Sequence, residues 1–141
     1  DDAYPDTELF ATAGMLVRKF NPDYLLVHPM GMDDTGHKYS ADSEEYRVHA
    51  IRQDVMLANL IPEWLERGYN IIVTSDHGMN VDKMHGGTTS DVREVPLFII
   101  RPEALGKGDT GEIVSHLQLA PTICKLMGIP IPKTMKKASI I

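Results

Sequence analysis

A chain of 141 residues, 43% of them hydrophobic, is long enough to bury one core and is read as a single domain, 1–141. Its formal net charge of -6 excludes a nucleic-acid polymer as partner, because such binding works through Lys and Arg neutralising phosphates. The lone Cys124 excludes an internal disulfide, and no apolar run approaches membrane-spanning length, so the chain reads as soluble, with no membrane segment and the cytoplasm favoured.

From Asp6 or Thr7, either of which can serve as N-cap beside Pro5, apolar residues recur at Leu9, Phe10, Ala13, Leu16, Val17 and Phe20. This spacing predicts a helix that Asn21-Pro22 stops. Tyr24 to Val27 is a short apolar run predicted as a buried parallel strand. Met30 to Tyr39, glycine-punctuated and carrying Asp33, Asp34 and His37, is predicted to be a loop at that strand's carboxyl end. Asp42 or Ser43 can cap the next helix, whose apolar stripe runs from Tyr46 to Leu65 and stops at Gly68. Pro62 should kink that helix or begin a second one. Asn70 to Ser75 reads as a buried strand running into Asp76-His77-Gly78, and Val95 to Ile100 as a further strand. Glu103 to Gly111 is predicted as exposed loop, Ser115 to Met127 as a last helix, and Lys133 to Lys137 as a loosely held basic tail. Long crossovers between the strands predict an α/β fold, a mostly parallel sheet with helices packed on it and the ligand loops on one edge.

Three groups of metal-ligand residues follow the predicted strand ends: Asp33 with His37, Asp76 with His77, and His85. Neighbouring residues of a strand point to opposite faces, so Asp76 and His77 share an ion only if the backbone turns there, and Gly78 permits that turn. Carboxylate oxygen and imidazole nitrogen suit zinc well and manganese acceptably, while the lack of thiolates argues against a closed structural zinc site. Asp33, His37 and His85 would leave a fourth position open, which is the catalytic pattern, and Asp76 with His77 make half of a second site. Two cations on the order of 4 Å apart would clamp the attacking and leaving oxygens of a phosphoryl displacement, which suits a small anionic substrate on an acidic chain.

Asp33-Asp34-Thr35-Gly36-His37, Ser75-Asp76-His77-Gly78-Met79, His85-Gly86-Gly87 ahead of Val95-Pro96-Leu97, and Leu119-Ala120-Pro121-Thr122 before Gly128-Ile129-Pro130 together resemble the alkaline phosphatase superfamily. Within it they are most similar to the type I phosphodiesterase/nucleotide pyrophosphatase proteins and the phosphoethanolamine transferases. The resemblance implies an alkaline-phosphatase-like fold, here a partial domain, and two divalent metals, zinc or manganese. Asp33, His37 and His85 would hold one, and Asp76 and His77 the other. It favours Asp33 over its neighbour Asp34 as the ligand. It also implies metal-dependent hydrolysis of phosphodiester or nucleotide pyrophosphate bonds in a whole enzyme whose Thr or Ser nucleophile precedes the matching part. The chain, which opens on Asp1 with no initiator Met, is therefore expected to be the C-terminal metal-binding half, inactive alone.

Alternatives from the same residues are a phosphomutase or sulfatase relative, and a non-catalytic metal-binding or dimerising module. Surface left bare by the missing half would promote a homo-oligomer. Other histidines take plainer readings: His28, close to the ligand loop, as a hydrogen-bonded strand-end residue ahead of the alternative of a partner standing behind a ligand, His49 as solvent-facing, and His116 as a cap or core-edge residue.

Overall fold

The computed structural model describes residues 6–102 and 104–141. Pro5 as the flank of the first helix, and Glu103 as the start of the exposed loop, lie outside the described residues. The chain divides into two compact units, Asp1–Glu103 and Ala104–Ile141.

In the first unit, helix α1 (Asp6–Phe20) packs on helix α3 (Glu44–Glu66). Phe10, Ala13 and Val17 recur at helical spacing and meet Leu60 and Trp64 of α3 and Ile71 in the core, with Leu25 and Val27 packed against them. Asn21, at φ 43°, ends α1 in the left-handed region that Asn tolerates, and Pro22 prevents continuation. Ser43 caps α3, its hydroxyl accepting from the Tyr46 N–H at 3.1 Å. Pro62 lies inside α3 and does not begin a second helix; Leu60 and Trp64 on either side of it pack into the core.

Arg18 and Arg67 both reach the Glu63 carboxylate, at 2.9 and 3.0 Å. The hydrogen bond from Arg18 leads, and with Arg67 it outweighs desolvation, holding the Glu63 carboxyl below its ordinary value. A lowered folded pKa contributes stability that is present above the ordinary carboxylate range and is lost as pH falls through the folded value. Glu63→Gln is therefore expected to flatten the acid side of the melting-temperature profile, and high salt to shrink its difference from the unsubstituted chain, because the pair is exposed.

Strands β1 (Ile71–Thr74) and β2 (Leu97–Ile100) form a two-stranded antiparallel sheet, with Ile71 opposite Ile100 and Thr74 opposite Leu97. This corrects the expected mostly parallel sheet. A parallel pair needs a crossover that carries the chain back to its starting end, and between β1 and β2 the only helix is the four-residue α4 (Ser90–Arg93). The chain leaves at Thr74 and re-enters beside it at Leu97, a closure helped by the Thr74 hydroxyl donating to the Pro96 carbonyl at 2.9 Å. Tyr24 to Val27 is not a strand. Leu25 and Val27 face the core while Leu26 is 72% exposed, an alternation proper to a strand, but no ladder partner lies beside it among the described residues.

The expected loop Met30 to Tyr39 is instead a helix, α2 (Gly31–Tyr39). Asp33 and Asp34 in its first turn and His37 and Lys38 in its last complement the helix dipole, which compensates for the two glycines that signalled a loop.

In the second unit Ser115 and Gln118 form a reciprocal capping box that opens a single 3-10 turn (His116–Gln118) leading into α5 (Leu119–Leu126). The fully buried Thr122 donates to the Gln118 carbonyl at 2.6 Å and accepts from the Ile140 N–H at 2.9 Å, so the chain beyond the basic tail is tied down. No helix among the described residues is long and apolar enough to cross a membrane.

Candidate metal centre

The strand β1 ends at Thr74, and the chain turns at once: the Ser75 hydroxyl donates to the His77 carbonyl at 2.6 Å, and the His77 N–H donates to Asp76 Oδ1 at 3.1 Å. This is the turn that lets two adjacent side chains serve one site. Gly78 then donates its N–H to the Val92 carbonyl of α4 at 2.9 Å, passing so close that a Cβ would lie 2.0 Å from the Asp91 carbonyl oxygen. Asn80 folds the following loop, its side chain accepting from the Met84 N–H at 2.9 Å, and delivers His85.

Asp33 and His37, one turn apart on α2, meet the residues after β1. Around Asp33 Oδ1 lie the Nε2 atoms of His37 at 3.5 Å, His85 at 3.6 Å and His77 at 3.8 Å. Asp33, His77 and His85 offer donor atoms that all fall within 4.8 Å of one another, and the His77 and His85 rings stack at 3.9 Å. On the far side of His77, its Nε2 stands 3.7 Å from Asp76 Oδ2, which is also 3.7 Å from His28 Nε2. The five sequence-predicted residues thus form one connected group, while Asp34 is exposed on α2.

Two of the imidazoles are oriented from behind. His37 Nδ1 lies 2.8 Å from the Lys83 carbonyl and His77 Nδ1 2.9 Å from the Gly78 carbonyl. A carbonyl oxygen only accepts, so each Nδ1 carries a proton, and in the neutral ring the lone pair is left on Nε2, the atom near Asp33. Lys83 adopts φ 64° to present its carbonyl, and its ammonium donates to the Lys38 carbonyl at the end of α2 at 3.0 Å.

The donor set passes a physical test of fit. Asp33 Oδ1 is buried with no hydrogen-bond partner, a costly arrangement for an isolated carboxylate oxygen. Its neighbours at 3.5 to 3.8 Å are too far for hydrogen bonds, but near the roughly 3.3 Å edge of a tetrahedron built on metal–ligand bonds of about 2 Å.

Beside the cluster a cavity of about 60 Å³ is lined by His28, Met30, Asp33, Tyr46, Asp76 and His77, among others. Burial is the larger influence on Asp76 and raises its carboxyl, but hydrogen bonding within its own turn and the adjacent His77 and His28 together bring it below the ordinary value. Burial first, then the Asp33 carboxylate, push the Tyr46 phenol up. The sequence places His28 beside the ligand loop and Tyr46 in an apolar stripe; the fold puts both in the lining of this cavity.

The profile of the type I phosphodiesterase / nucleotide pyrophosphatase family matches residues 5–87, the segment that holds α2, β1 and all five clustered residues. The chain is 33% identical over 113 residues to the Mus musculus protein named GPI ethanolamine phosphate transferase 3, catalytic subunit, an alignment covering 78% of this chain and 10% of that protein. It is 34% identical over 119 residues to a Wolinella succinogenes 2,3-bisphosphoglycerate-independent phosphoglycerate mutase, covering 80% of this chain and 23% of that one. A Haloquadratum walsbyi protein of the latter name is 29% identical over 139 residues, with 95% and 27% covered. The chain therefore spans between about a tenth and a quarter of the length of these relatives. No solved structure matches it. With a family profile covering more than half of its residues, the chain belongs to the type I phosphodiesterase / nucleotide pyrophosphatase family of the alkaline phosphatase superfamily.

Proposed function

We propose that this chain is the metal-binding part of a phosphoryl-transfer catalytic domain. Asp33, His37, Asp76, His77 and His85 hold divalent cations, zinc in preference to manganese, and the whole protein hydrolyses a phosphodiester or nucleotide pyrophosphate bond. One observation carries the reading: a buried carboxylate oxygen with no hydrogen-bond partner lies within 3.5 to 3.8 Å of three imidazole Nε2 atoms, two of them on rings whose Nδ1 is held by a carbonyl, a convergence of ligand atoms that favours a bound cation.

The chemistry supplied by cations held there is neutralisation of phosphoryl charge and easier ionisation of an attacking hydroxyl. The chain's own groups bind and orient. His28, 60% exposed at the cavity, faces incoming substrate, and the Tyr46 phenol, which keeps its proton, is a donor for a phosphoryl oxygen. Of the hydroxyls near the cluster, Thr35 donates to the Gly31 carbonyl, Thr74 to Pro96 and Ser75 to His77, Thr88 is exposed in the loop, and none leads from a strand directly into a helix. This supports a nucleophile supplied by chain outside the described residues.

The names of the relatives favour a second reading, transfer of the phosphoryl group to an alcohol rather than to water. An aryl phosphodiester assayed in heavy-oxygen water, with and without zinc, separates the two. The natural polypeptide that carries this chain is expected to release label-bearing phosphoryl product only with metal, and to lose that activity in Asp76→Ala. Unlabelled product appearing only with an added alcohol would favour transfer, and metal-independent turnover would overturn both.

A further inference from the structure

We propose that Asp6, His49 and Thr35 form a positioning network that sets the start of α2, and through it Asp33 and His37, in the geometry that holds a divalent cation. The inference rests on the metal reading above. Asp6 is 25 residues from α2 in sequence, yet its carboxylate is 3% exposed and reaches the first residue of that helix. Oδ1 accepts from the Gly31 N–H at 3.2 Å, and Oδ2 accepts from His49 Nε2 and Gln53 Nε2, each at 2.9 Å.

Because His49 gives its Nε2–H to Asp6, its Nδ1 accepts, and the one proton of the Thr35 hydroxyl serves two acceptors, the Gly31 carbonyl at 2.6 Å and His49 Nδ1 at 3.2 Å. Both main-chain polar groups of Gly31 are thereby held, the N–H by Asp6 and the carbonyl by Thr35, with His49 of α3 touching both partners. Met30, in the capping position of α2, makes no side-chain cap, so the first turn depends on Asp6 from α1. Gly31 is needed for the approach: a Cβ there would lie 2.3 Å from His49 Nε2 and 2.4 Å from Asp6 Oδ2.

A buried carboxylate is an expensive way to join three helices, and apolar packing would do so at lower cost. What the network adds is direction. Two contacts tie α2 to its neighbours, Gly31 to Asp6 of α1 and Thr35, midway between Asp33 and His37, to His49 of α3, and together they set the rotation of the segment that carries both donors. Asp33 Oδ1 meets three imidazoles within 3.5 to 3.8 Å, and a small turn of α2 about its axis would break that convergence. Partners standing behind metal ligands typically change affinity by about 10–100-fold.

The test uses the full chain with cobalt(II) as a spectroscopic probe of coordination. Thr35→Val and Asp6→Asn are expected to weaken cobalt binding by about 10–100-fold and to alter the intensity of its visible absorption bands. Val17→Ala, which thins the core between α1 and α3, is expected to lower the melting temperature while leaving affinity and spectrum unchanged. Should Asp6→Asn fail to fold, Thr35→Val, which loses one hydroxyl and keeps its shape, carries the test. Cobalt bound with unaltered affinity and spectrum in the network variants overturns this proposal alone. No binding by the unsubstituted chain overturns the metal reading and this one with it.

Discussion

Asp33→Ala is expected to abolish cation binding at the cluster, with zinc affinity falling by more than the roughly 100-fold seen when an outer partner is lost. Asp33 Oδ1 is the atom to which His37, His77 and His85 all turn, so its removal takes the shared donor from every pairwise arrangement at once. The sign on stability runs the other way. In the metal-free chain this oxygen is buried and unpartnered, which costs about 1–3 kcal/mol, so the metal-free variant should melt no lower than the unsubstituted chain. Zinc should raise the melting point of the unsubstituted chain and leave that of Asp33→Ala where it was. Calorimetric titration and thermal melting read the two effects separately. A variant that still gains stability from zinc would show that the cation sits elsewhere.

The largest expected loss of stability belongs to Gly78→Ala. The new Cβ would lie 2.0 Å from the Asp91 carbonyl oxygen and 3.0 Å from its carbon, and both are backbone atoms of α4 that no rotamer change can move aside. Relief requires α4 to separate from the turn after β1, which breaks the hydrogen bond from Gly78 to Val92 and exposes Val92, now 3% exposed. A cost of about 3 kcal/mol, or roughly 10 °C in melting temperature, follows from overpacking. Because His77 is the preceding residue and is anchored by the Gly78 carbonyl, metal affinity should fall as well. Gly86→Ala, where a Cβ would meet nothing within 4 Å, is the matched control and should be near neutral on both measurements. An unshifted melting point for Gly78→Ala would mean that this contact is looser than the backbone geometry indicates.

The amphipathic helices were legible because their signals are local. The spacing of Phe10, Ala13 and Val17, the Ser43 cap and the Gly68 stop each act within a turn or two of chain. The residues of the candidate site were legible for a related reason: carboxylate and imidazole recur in short groups, and Asp33 and His37 are one helical turn apart. That same spacing, together with acids first and bases last, also indicated α2, and the glycines at 31 and 36 masked it. His49 was misread as solvent-facing because its helical neighbours are polar, although Gln53, one turn on, reaches the same buried carboxylate.

Local chemistry in the chain determined which residue types were present to bind a cation, that they follow an apolar run, and that a turn had to separate Asp76 and His77 from the strand. Strand direction could not be read that way. It depends on where the chain re-enters the sheet, and the pairing of Thr74 with Leu97 is set by a connection that lacks a helix long enough to cross back. The tertiary structure alone decided that Asp6 caps α2, that His77 stands between the Asp33 and Asp76 carboxylates, and that the carbonyls of Lys83 and Gly78 orient the rings. Each of these is a contact between backbone or buried polar groups brought together by core packing, and such groups leave no periodic trace in the sequence.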